Sequence, residues 1–115
     1  MSELMREHVA RFNAAVESGD WAPMLEQFAD DAELEFRGVP LGPLSGRDAI
    51  AAAYAEQPPD DTVRLLEERE REGRPEARYA WGAEPEVAAG EMLLTPSGGR
   101  IARLVVTFDR GVEWA

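Results

Sequence analysis

The stretch GRIARLVVTFD, residues 99–109, alternates regularly enough to constrain what the whole chain can fold into. Ala102, Leu104, Val106 and Phe108 fall on one side of an extended strand, while Arg103, Thr107 and Asp109 share the other with Ile101 and Val105. Such a strand needs both neighbours and a covering layer for its apolar face. Residues 62–72, 76–81 and 86–94 are candidate neighbours, and SGGR at 97–100 reads as the hairpin turn before the last strand. The first of these is ambiguous. TVRLLEEREREG consists largely of good helix formers, with Glu67 and Arg71 at a helical pairing distance, so propensity alone supports helix and strand equally.

The cover comes from the N-terminal half. Met5, Val9, Phe12 and Val16 recur at helical spacing, with Gly19 where a helix commonly ends in a left-handed residue. Asp20 is the expected cap of a second helix that tolerates Pro23 in its first turn and buries Trp21, Leu25 and Phe28. From Ala32 the period changes to two, placing Ala32, Leu34 and Phe36 on one strand face and Glu33 and Glu35 on the other. Ser45 with Asp48 has capping-box spacing for a third helix carrying Ile50 and Tyr54.

At 115 residues the chain suits one domain, residues 1–115, with a single core and no repeat or internal linker. Charges interrupt every apolar run of MSELMREHVARF, so a cytoplasmic protein without a signal peptide or membrane span is expected. The absence of Cys removes thiolate nucleophiles and sulfur-ligated metals. All 12 basic residues are Arg, so no lysine can form a Schiff base, and a single histidine cannot make a multi-histidine metal site. No cofactor and no metal are expected. A formal charge of -11 disfavours nucleic acid and anionic membranes as partners.

The order ARFNAAVESGDWAPMLEQFADDAELEF, GPLSGRDAIAAAYAEQ, GGRIARLVVTFD resembles the nuclear transport factor 2-like superfamily, and within it the polyketide-cyclase-like (SnoaL-like) and ketosteroid-isomerase-like branch. The resemblance covers nearly the whole chain. It implies an α+β fold in which three N-terminal helices pack on the concave face of a curved, mostly antiparallel sheet, a cone-shaped half-barrel with an apolar pocket. It also tips residues 62–72 toward strand.

Ketosteroid isomerase moves a proton with an Asp base while a Tyr and a protonated Asp hydrogen-bond to the oxyanion. Carried over by resemblance, the base position falls on Phe36, the oxyanion tyrosine on Phe12, the protonated acid on Glu91, the supporting tyrosine on Tyr54 and its other partner on Phe28. A phenyl ring accepts no proton, so isomerisation by that route is not expected. The expectation is instead a pocket for a small hydrophobic molecule, lined by Phe12, Phe28, Phe36, Tyr79, Trp81, Leu104, Val106 and Phe108, with Glu91 as acid or base and Tyr54 as hydrogen-bond donor. Proton-transfer chemistry of the isomerase, cyclase, dehydratase or hydrolase type is one reading; the alternative is a non-catalytic module for binding a small ligand or for dimerisation.

Several placements have ordinary alternatives. A parity error of one residue would put Glu91 outside. Tyr54 could keep its hydroxyl in water, and Tyr79 and Trp81 could be plain core. His8, beside Val9 at the edge of the stripe, reads as a partly exposed helix residue, Asp109 as a turn or cap, and EEREREG as a solvated strand end. Met92, Leu94, Ile101, Val105 and Thr107 would form a partly apolar outer sheet face, which with the resemblance implies a homodimer through the sheet.

Overall fold

Helix α1, Glu3–Ser18, turns Met5, His8, Val9, Phe12 and Ala15 inward, a stripe at spacings of three and four. It ends where expected: Gly19 has φ 81° and its N–H donates to the Ala15 carbonyl at 2.7 Å. The computed structural model describes residues 3–109. Asp20 accepts from the Ala22 N–H at 3.1 Å, but the helix it introduces, α2, is only Ala22–Leu25. Strand β1, Phe28–Arg37, begins earlier than the period-two pattern indicates, because the Gln27 carbonyl accepts from the Ile101 N–H at 2.7 Å and Phe28 pairs with Ile101. Phe28 is therefore a strand residue, not part of a helical face.

The two-residue strand β2, Leu44–Ser45, pairs with Leu34 and Glu33. Ser45 is thereby occupied in the sheet and does not cap the next helix. That helix, α3, runs Arg47–Glu56 behind Gly46, which at φ 91° takes the N-cap position without any side-chain cap. Ile50 and Tyr54 are its buried residues.

The ambiguous segment is a strand, β3, Val63–Arg71, followed by β4, Arg74–Trp81, β5, Gly90–Ser97, and β6, Arg100–Phe108. Its helix-forming charges find partners across the ladder instead of along a helix: Arg69 with Glu76 at 2.5 Å, and Glu67 with Arg78. Glu72 and Gly73, both at positive φ between the paired Arg71 and Arg74, close one hairpin. Gly98 and Gly99 do the same between Ser97 and Arg100.

The strands form one sheet of order β2-β1-β6-β5-β4-β3, antiparallel except where β1 runs parallel to β6. Irregular register at 28–33, 65–67 and 95–96 bends the strands, giving a curved, unclosed sheet. Helix α3 packs on β1, and α1 on β3. This is the α+β cone architecture. Phe28, Leu34, Ile50, Leu94 and Leu104 are among the fully buried side chains between the layers.

The outer sheet face differs from the expected one. Met92 and Leu94 pair with Val106 and Leu104 and are buried inward, and Ile101 is also fully buried. The register passes from Thr95 and Arg103 to Pro96 and Ile101, so Ala102 is an extra residue and strict alternation fails there. Of the proposed apolar patch, Val105 and Thr107 keep outer parity, beside the ion pairs of Arg103 with Glu35 at 2.6 Å and of Arg78 with Glu67. The residues that suggested a sheet-to-sheet dimer are largely core.

Candidate functional site: an apolar cavity under the helices

Between the helices and the concave face lies a cavity of about 340 Å³. Helix α1 contributes His8, Val9 and Phe12, and α3 contributes Ala53 and Tyr54. The sheet supplies Phe36, Tyr79, Trp81, Met92, Leu104, Val106 and Phe108. Val39 and Leu41, exposed large hydrophobic residues, stand at its rim with Glu56 and Gln57.

One wall is a row of rings. Phe108 stacks on Phe36 with centroids 6.1 Å apart and on Trp81 at 6.4 Å, with interplanar angles of 28° and 18°. Tyr79 meets Phe108 edge-on at 6.5 Å. At the helical side, Phe12 contacts Trp21 at 5.5 Å, and Trp21 stacks on Tyr54 at 4.8 Å. A surface this aromatic favours flat apolar matter and offers it few polar partners.

Burial pushes both tyrosine hydroxyls above their ordinary pKa of 10.0, so each stays protonated. The Tyr79 hydroxyl donates to the Thr107 carbonyl at 3.4 Å. Gly90 makes this corner possible, since a Cβ there would lie 1.7 Å from the Thr107 oxygen.

Phe12, Phe36, Tyr54, Tyr79, Trp81, Leu104, Val106 and Phe108 are brought together on the cavity. Two residues are not. Glu91 pairs with Thr107 and Arg78, and so has the parity opposite to Met92, which lines the cavity beside its partner Val106. Its carboxyl group lies on the outer face, because β5 starts at Gly90 and the inward phase belongs to the even-numbered residues. Phe28 is fully buried beneath α1, edge-on to His8 at 5.7 Å, and does not reach the cavity.

His8 departs from the expected partly exposed helix residue. It is 3% exposed and lines the cavity. Desolvation lowers its pKa from 6.5 to about 4, with the neighbouring Gln27 side chain opposing part of that fall. Even so, His8 Nδ1 and both amide atoms of Gln27 are buried without a well-formed hydrogen bond. The available signal was spacing: His8 lies three residues from Met5 and four from Phe12, inside the apolar stripe.

Among the described residues, no cluster of three or more His, Asp or Glu side chains could hold a metal ion, and no helix is long and apolar enough to cross a membrane.

The profile of a family described as SnoaL-like domain matches residues 9–108. No curated protein matches the chain. Among solved structures, a SnoaL-like protein of unknown function from Burkholderia thailandensis is 14% identical, with 95% of this chain and 97% of that one covered at a TM-score of 0.71. A Sinorhizobium meliloti protein named as a candidate polyketide cyclase is 22% identical, with coverage of 91% and 99% and a TM-score of 0.62. A Bacillus subtilis protein named as a candidate isomerase is 17% identical, with coverage of 95% and 90% and a TM-score of 0.69. At these identities the likeness is one of fold.

Proposed function

Since the chain belongs to the SnoaL-like domain family, whose nuclear transport factor 2-like fold hosts more than one activity, we propose that it binds a small, flat, apolar molecule in the cavity under α1 and α3. The observation that carries this reading is the cavity itself: about 340 Å³ walled by the stacked row of Phe36, Phe108 and Trp81. That volume lies at the lower end of the range for small-molecule sites, roughly 300–1,000 Å³. It suits a ligand of two or three fused rings.

Proton transfer by the isomerase route has little support. Phe36 occupies the position that resemblance assigns to the base, and Glu91 lies on the other face of the sheet. The names of the Sinorhizobium and Bacillus proteins keep cyclase or isomerase chemistry as a second reading, which would need a different proton carrier inside the cavity.

The test is a fluorescence titration with a neutral dialkylaminonaphthalene. Saturable binding of one molecule per chain is expected, weakened at least tenfold by Val106→Trp, which fills the cavity from β6. Binding that Val106→Trp leaves unchanged, in a variant that still unfolds cooperatively, would remove the proposal.

A further inference from the structure

The ring of His8 reaches the cavity, yet an apolar ligand alone gives it nothing to do. We propose that the Gln27 side-chain carbonyl holds the Nδ1–H of His8, so that Nε2 faces the cavity as a hydrogen-bond acceptor and selects apolar ligands carrying an O–H group: an alcohol, a phenol or an enol. The inference rests on the reading of the cavity as a ligand site and narrows it to a ligand class.

Three unpaired buried polar atoms meet here, His8 Nδ1 and the two amide atoms of Gln27. Buried polar groups are nearly always paired, so such a concentration calls for a reason. The imidazole is fixed on its other side by Phe28, whose ring meets it edge-on with an interplanar angle of 89°. Gln27 is fixed too, because its backbone carbonyl is taken by the Ile101 N–H. The ring and the Gln27 backbone are thus placed by the fold, with the Gln27 side chain close enough to act on the ring.

The direction of that bond decides the ligand. With the Gln27 oxygen rather than its NH2 group turned to the ring, Gln27 accepts from an imidazole N–H. A neutral imidazole carries one N–H and one lone pair, so an Nδ1–H held by Gln27 leaves the lone pair on Nε2. Burial keeps the ring neutral, and the low basicity that results suits accepting a hydrogen bond better than removing a proton. Glu56, the one carboxylate among the lining residues, is exposed at the rim, so the acceptors inside are the His8 nitrogen and the hydroxyl oxygens of Tyr54 and Tyr79.

The chain has one histidine, so ¹⁵N-histidine labelling reports His8 alone. The expected spectrum at pH 7 is a neutral ring with protonated Nδ1 and pyridine-like Nε2. Adding 2-naphthol should shift Nε2 saturably, whereas 2-methylnaphthalene should bind without that shift. Naphthol should bind about fivefold more tightly than methylnaphthalene, the worth of one net hydrogen bond. Gln27→Met should remove that preference while methylnaphthalene still binds, and His8→Leu should do the same if it folds. An Nε2–H tautomer in the ligand-free state, or equal affinity of the two compounds with Nε2 unmoved, overturns the inference and leaves the cavity reading standing. Failure of both compounds to bind overturns the cavity reading and the inference with it.

Discussion

Asn13 holds Val63 by both of its backbone groups: the side-chain amide donates to the Val63 carbonyl at 2.9 Å, and the side-chain oxygen accepts from the Val63 N–H at 2.7 Å. The pair ties α1 to the start of β3, an edge strand, and so sets the height of His8, Val9 and Phe12 above the sheet.

Asn13→Ala leaves two partly buried backbone groups without their partner. Since each lost hydrogen bond is worth about 1 kcal/mol net, the expected loss of stability is about 1–3 kcal/mol. Urea unfolding measures it. The same variant should also loosen Phe12 from the cavity wall, seen as weaker binding of an apolar fluorophore.

The single histidine makes folding pH-dependent. Its folded pKa of about 4 lies below the ordinary 6.5, so the unfolded chain binds the proton first and stability falls as pH drops through that window. The whole shift corresponds to about 3 kcal/mol, of which about 2 should be gone by pH 5. Glu35, which Arg37 and Arg103 hold below its ordinary value of 4.5, loses its contribution only at lower pH. Unfolding free energies at pH 7.5 and pH 5 should therefore differ far less in His8→Leu than in the parent protein.

Gly90→Ala places a methyl group 1.7 Å from the Thr107 carbonyl oxygen and 3.1 Å from the Tyr79 hydroxyl. Neither backbone can yield without opening the β5–β6 ladder, so a cost of about 1–3 kcal/mol or more is expected. A melting-temperature shift of several degrees would register it. Gly73→Ala, in open space but at φ 77°, should cost less, through backbone strain alone.

Glu76 is 4% exposed and meets Arg69 at 2.5 Å and Arg71 at 3.3 Å, both of which keep contact with water. Removing a cation leaves a buried carboxylate short of a partner, whereas removing the carboxylate frees arginines that water can solvate. Arg69→Met is therefore expected to destabilise the protein more than Glu76→Gln, a ranking that denaturant unfolding can check.

Much of the architecture was legible from residue order. Leu104, Val106 and Phe108 were placed on the cavity because β6 alternates cleanly over that stretch, and Gly19 marked the end of α1 because a positive φ was required there. The residues that fall elsewhere do so for separate reasons. The side on which Glu91 falls depends on where β5 begins, and the loop before Gly90 carries no periodic signal to count from. Ile101 turned inward because one extra residue at Ala102 reverses the phase, a change invisible to strict alternation. Ser45 met the spacing of a helix cap but was claimed by β2, since tertiary pairing outranks local capping. His8 sits at the edge of the stripe in sequence, yet the packing of α1 over Phe28 turns it fully inward.

The most direct test of ligand binding uses the methionine methyl groups. Met92 lines the cavity, while Met24 is fully buried in the core. With ¹³C-methyl methionine, titration of a bicyclic apolar compound should move the Met92 resonance along a saturating curve and leave Met24 nearly still. A Met92 signal that stays fixed, or drifts linearly with the others at every concentration, would contradict a ligand-binding cavity.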